Sequence, residues 1–225
     1  MRIGFLHVDK RTESSEDAYL CARAMVASAK KVMPYCEIVQ FTDLTTKPIK
    51  GVDTVCRKPA EPMGLLRMRH CAGVSGKWLF VDTDIIFQQP VGPVFRSEFD
   101  IAVTSRNWSH VKHAVGFSQR MPFNTGVVFS RCPHFWAEIY TRLRCLDPEL
   151  QEFMGEQQII CEVAADTDRY LIKYLKGSVY NYPPEVPGLN PSSADMEAAA
   201  AILHYKGDER KALMLRRTLG ARRCA

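Results

Sequence analysis

"WLFVDTDIIF", Trp78 to Phe87, sets two carboxylates into an otherwise apolar run. Its flanks, Trp78 to Val81 and Ile85 to Phe87, read as buried strands, where an unpaired ionised carboxylate is strongly unfavourable. Asp82 and Asp84 therefore need a partner. In an open parallel sheet the ligand crevice lies beyond the carboxyl ends of the strands, and Asp82 follows directly on "KWLFV".

The rest of the chain supports such a sheet. "IGFLHV" has strand length and leads into "SSEDAYLCARAMVASAKKVMP", in which Ser14 and Asp17 fit a capping box. Cys21, Met25, Ser28 and Val32 share one face of this helix, which Pro34 closes. "CEIVQFTD" and "VDTVCRKP" return as strands, so strand, helix and strand alternate as in a right-handed βαβ unit. "PMGLLRMRHCAGVSGKW" predicts a short helix before the DxD strand. "FDIAVTSR" and "FNTGVVFSR" predict strands, and "PHFWAEIYTRLRCL" and "EQQIICEVAAD" predict helices. "YLIKYLKGSVYNYPP" reads as strand material and the Pro-rich segment after it as loop. The expected fold is α/β, with a mainly parallel central sheet flanked by helices.

A chain of 225 residues, 46% hydrophobic and 24% charged, suffices for one substantial core. The reading is one domain over 1–214 and a basic tail over 215–225. The eight cysteines show no CxxC pair or zinc-finger spacing, which favours reduced, mostly buried thiols. No stretch approaches the roughly 18 apolar residues of a spanning helix, and the N-terminus lacks signal-peptide features. A soluble cytoplasmic protein is expected. The net charge of +5 sits in the last twenty residues, which leaves open a contact with phosphate, an anionic membrane surface or nucleic acid.

Two carboxylates at D-x-D spacing can present oxygen ligands to one hard divalent cation, which offsets their mutual repulsion. Read alone, the same spacing is more often an acidic turn, solvated or paired to an arginine such as Arg67. Four segments in order resolve this. "LFVDTDIIF", "PFNTGVVFS", "GEQQII" and "ILHYKGDERK" resemble the motifs of the GT-A glycosyltransferases, most closely the retaining galactosyltransferase and glycogenin-like group. The similarity runs from Met1 to about Met214.

That resemblance implies a GT-A fold and a nucleotide-sugar donor, with uridine as the base and a hexose as the sugar. It implies His204 as a third metal ligand beside Asp82 and Asp84. Two carboxylates and an imidazole suit Mn²⁺ or Mg²⁺, Mn²⁺ tolerating the nitrogen better. Gly207 would admit the donor diphosphate, and Arg210 or Lys211 would neutralise it; the family's lysine position holds Arg210 here. Arg67, with Arg69 as competitor, would lie over the diphosphate and sugar. Asn124 would bond sugar hydroxyls and Gly126 would leave room for the ring; read from the residues alone, Asn and Gly at a strand bend is the alternative. Glu156 and Gln157 would hold the sugar near its anomeric carbon, Glu156 standing where the family has the shorter aspartate. Asp9, beside His7 and Val8, would lie near the base.

A cation with Lys/Arg neighbours stabilises charge on a departing diphosphate, and no compelling carboxylate base for inversion stands out beyond Glu156 or Asp147. Retention is the implied outcome, Gln157 lying close to the sugar's reacting face. Loops 106–121 and 182–191 would hold the acceptor. Arg106, Trp108, His110, Lys112, His113 and Arg120, with Arg216, Arg217, Arg222 and Arg223 of the tail, would suit a polyanion. Two acceptors stay open, a saccharide or membrane-associated lipid-linked saccharide, and a hydroxymethylated base of DNA. Two other classes compete. A nucleotidyltransferase lacks support in any Gly-rich phosphate loop, and a non-catalytic nucleotide-sugar binding protein has no need of the acidic cluster.

Overall fold

The computed structural model describes residues 1–9, 14–105, 122–151, 153–165, 168–185 and 194–219. Strand β1 (Arg2–Leu6) is followed by helix α1 (Ser14–Val32), β2 (Glu37–Thr42), β3 (Thr54–Arg57), α2 (Met63–Ala72), β4 (Trp78–Val81) and β5 (Ile85–Phe87). Then come β6 (Ile101–Ser105), β7 (Phe123–Ser130), α3 (Pro133–Arg144), α4 (Phe153–Ala164), β8 (Ile172–Leu175) and the single turn α5 (Gly177–Tyr180). Helix α6 (Ala194–Ala199), β9 (Ile202–His204) and α7 (Asp208–Leu219) complete the described chain.

Among the described residues, seven strands form one sheet in the order β3-β2-β1-β4-β7-β6-β8, and β5 and β9 form a two-stranded ribbon. The expected α/β sheet is present and mainly parallel, only β7 running against its neighbours. One reading needs correction. "YLIKYLKGSVYNYPP" is a strand only at Ile172–Leu175 and then turns as helix, Gly177 to Tyr180. Helix α7 runs on to Leu219, into the basic stretch.

The DxD strand packs on both faces because its side chains alternate. Leu79 and Val81 join Ile3, Phe5 and the α1 residues Ala22, Met25, Val26 and Ala29 in one core layer. Trp78 and Phe80 join Phe41, Leu65, Met68 and Trp136 in the other. Phe80 meets the Trp136 ring edge-on at 5.2 Å and stacks with Trp78 at 5.7 Å. The same alternation carries Asp82 toward the α2 side of the sheet.

On α2, the buried His70 ring stacks on Phe41 at 4.8 Å, and its Nε2 lies 3.2 Å from the Thr42 carbonyl. Burial pushes its pKa down from 6.5 to about 4. The folded state therefore favours the neutral ring, so this contribution to stability is whole above pH 6.5 and is lost as pH falls toward 4, reaching about 3 kcal/mol. Urea unfolding at pH 7 and at pH 4 should show wild type losing that much more stability than His70→Gln. Parallel losses in the two proteins would refute it.

Candidate metal and donor site

β1 and β4 run parallel with Phe5 opposite Val81, so the chain leaves both strands at one sheet edge. Asp82 donates its backbone N–H to the Gly126 carbonyl at 2.9 Å, which ties the DxD turn to β7. The ribbon then fixes the third residue. Ile85 pairs with His204, and the Tyr205 N–H bonds to the Asp84 carbonyl at 2.7 Å, so His204 is delivered onto the turn by strand register.

His204 Nε2 lies 3.2 Å from Asp84 Oδ1 and 3.7 Å from Asp82 Oδ2. One ligand atom from each residue falls within 4.8 Å of the others. Oxygen and nitrogen ligands about 2.1 Å from a small divalent ion stand roughly 3 Å apart when adjacent, so the 3.2 Å edge matches one face of such an ion and the wider ones would draw in on binding. Burial alone would raise the Asp84 pKa, but His204 and Lys211 outweigh it and hold the carboxyl below its ordinary range. Asp84 thus stays ionised, as a ligand must.

Convergence depends on Gly126. A Cβ there would stand 2.4 Å from His204 Cε1 and 2.7 Å from Asp82 Oδ2. The space beside this glycine is taken by the two candidate ligands, where the sequence suggested room for a sugar ring. β7 also bulges here: Val103 pairs with Val128, but the next residue, Thr104, pairs with Asn124. Asn124 caps the bulge, its Oδ1 accepting the Gly126 N–H at 2.8 Å.

Arg67 reaches in from α2. Its NH1 lies 3.3 Å from Asp82 Oδ1 and 3.0 Å from Glu156 Oε1, and its NH2 donates to the Thr125 carbonyl at 2.9 Å. Its competitor Arg69 pairs with Glu61 instead, at 3.2 Å. The arginine reading of the DxD therefore holds for Asp82, while Asp84 has His204 and Lys211. Burial pushes Glu156 up to about 7, with Asp82 adding to the rise and Arg67 opposing it. Gln157, beside it on α4, is 1% exposed.

Gly207 has φ of 91°, a conformation that suits glycine, and it turns the chain from β9 into α7. Lys211 then faces the site, its Nζ 3.9 Å from Asp84 Oδ2. Arg210 turns away, with Nε on the Pro184 carbonyl at 3.0 Å and NH1 on the Lys206 carbonyl at 3.3 Å. Asp9 lies past the end of β1 at this same sheet edge, its N–H bonded to Thr46 Oγ1 at 2.9 Å. Loop 106–121 and residues 186–191 lie outside the described residues.

One pair escaped the sequence reading. His204 Nδ1 meets Asn181 Oδ1 at 2.7 Å, and Asn181 Nδ2 meets Thr104 Oγ1 at 2.7 Å. Asn181 sits in the irregular "VYNYPP" and Thr104 in an ordinary strand, so no local pattern marks either.

No protein-family model matches this chain, and no curated protein matches it in sequence. Solved structures do. The galactosyltransferase LgtC, in complex with donor and acceptor sugar analogs, superposes with a TM-score of 0.54 at 14% identity, over 92% of this chain and 87% of LgtC. A glycosyltransferase involved in glycosylation of the PBCV-1 major capsid gives 0.57 at 16% identity, over 95% and 98% of the two chains. The Streptococcus pneumoniae glycosyltransferase GlyE gives 0.62 at 14% identity, over 97% of this chain and 60% of GlyE. The chain has the fold of the GT-A glycosyltransferases.

Proposed function

We propose that the protein is a metal-dependent glycosyltransferase that moves a hexose from a uridine diphosphate donor to an acceptor hydroxyl, with retention of anomeric configuration. The observation that carries this is the convergence of Asp82, Asp84 and His204 at the carboxyl end of the DxD strand, with Lys211 beside them. The acceptor we favour is a saccharide or a lipid-linked saccharide; the structurally similar LgtC was solved with an acceptor sugar analog.

When bound, a divalent ion, Mn²⁺ by its tolerance of nitrogen, would neutralise the leaving diphosphate as a Lewis acid. Lys211, in the first turn of α7, supplies a second positive charge on the same side. Arg67 pairs with Asp82 and compensates Glu156. Glu156, paired with Arg67, and the buried Gln157 next to it on α4 would hold the donor sugar.

The direct test incubates the protein with a panel of nucleotide sugars and Mn²⁺ and follows release of nucleoside diphosphate by mass spectrometry. Slow hydrolysis of one UDP-sugar is the expected result. Consumption of a nucleoside triphosphate instead would identify a nucleotidyltransferase, and binding without turnover a non-catalytic protein. Lys211→Ala should weaken UDP binding roughly 10-fold or more by calorimetry, because a charge-assisted contact to phosphate is lost. Arg210→Ala should chiefly lower the melting temperature, since its guanidinium is spent on backbone carbonyls. Equal UDP losses in both variants would contradict the assignment.

A further inference from the structure

We propose that Asn181, oriented by Thr104, is a positioning residue that sets the tautomer of His204, so that Nε2 presents a lone pair to the cation. This rests on the metal reading above and extends it to two residues that do not touch the ion.

The chain of donors begins at β7. The Asn124 carbonyl can only accept, and the Thr104 hydroxyl lies 3.3 Å from it, so the hydroxyl proton is directed there. The Thr104 oxygen then accepts from Asn181 Nδ2 at 2.7 Å, which turns Asn181 Oδ1 toward His204. An oxygen 2.7 Å from Nδ1 requires the imidazole proton on Nδ1. In a neutral ring Nε2 is then bare, and Nε2 is the atom facing Asp82 and Asp84. The reverse amide orientation would deprive the Asn124 carbonyl of this donor and place the proton on Nε2, against the incoming cation.

The supports are rigid. His204 is 2% exposed, Thr104 0% and Asn181 8%, so solvent offers little substitute for a lost partner. Asn181 is also pinned through its backbone N–H to the Gly177 carbonyl at 2.9 Å. Partners of this kind behind a metal-bound histidine are typically worth about 10–100-fold in metal affinity.

The experiment reads Mn²⁺ binding from loss of the free-ion electron paramagnetic resonance signal, with no turnover involved. Asn181→Leu should weaken binding by roughly 10–100-fold. Asn181→Asp keeps an acceptor facing Nδ1 and should restore affinity to near wild type. Thr104→Val, which frees the amide to turn, should fall between them and decides the matter where Asn181→Leu does not fold. The inference is overturned if Thr104→Val and Asn181→Leu bind Mn²⁺ as tightly as wild type, or if Asn181→Asp is as weak as Asn181→Leu. Wild type that binds no Mn²⁺ would instead remove the metal reading itself.

Discussion

Asp84→Asn is expected to lose donor hydrolysis by about 10³-fold or more and to lose the rise in melting temperature that Mn²⁺ gives wild type. The substitution keeps the side chain's shape and removes its charge, so the effect isolates electrostatics from packing. Asp84 is the buried member of the pair, 7% exposed, with His204 Nε2 at 3.2 Å and Lys211 Nζ at 3.9 Å. Its neighbour Asp82 is already shared with Arg67 and cannot hold a dication alone. Saturating ligand at a hundred times its Kd stabilises a protein by about 2.7 kcal/mol, so loss of the site is readable in a melting curve without any substrate. Circular dichroism should show the metal-free variant folded. Full activity together with an intact Mn²⁺ shift would falsify the metal site.

Different parts of this molecule were legible in the sequence for different reasons. Strand β4 was readable because a run buried on both faces is continuously apolar, and the carboxylates that interrupt it mark where the burial stops. Helix α1 was readable from the 3.6-residue spacing of Cys21 and Met25 on its buried side. Residues whose positions depend on strand register were harder. Nothing in "AILHYK" says that His204 will lie opposite Ile85; only the resemblance to an ordered set of motifs brought it to the DxD. The choice between Arg210 and Lys211 was open for a similar reason. One helical step, about 100°, separates a side chain aimed at Asp84 from one aimed at the Pro184 carbonyl. Asn181 and Thr104 were invisible, because each becomes special only through a contact some 77 residues away along the chain.

Gly126→Ala is the second substitution from which a large loss is expected: Mn²⁺ affinity lower by about 100-fold, with donor hydrolysis falling in step. A β-carbon at this position overlaps His204 Cε1 at 2.4 Å, Asp82 Oδ2 at 2.7 Å and Asn124 Oδ1 at 3.0 Å, all too close for ordinary contact. What gives way is decided by how each neighbour is held. The imidazole is fixed by Asn181 and by its place in β9, and Asn124 Oδ1 is fixed by the Gly126 N–H. Asp82 has a side chain 28% exposed and one moderate ion pair, so it can swing outward toward solvent. That motion relieves only the Asp82 overlap; the one with His204 Cε1 must also push the imidazole aside, and both shifts open the ligand triangle. Overpacking of this kind costs about 1–3 kcal/mol in stability, too little to unfold a domain of this size. The variant should therefore fold, melt a few degrees early, and bind Mn²⁺ poorly in the same resonance titration. Wild-type affinity in Gly126→Ala would mean that the ion is not held by the triangle of Asp82, Asp84 and His204.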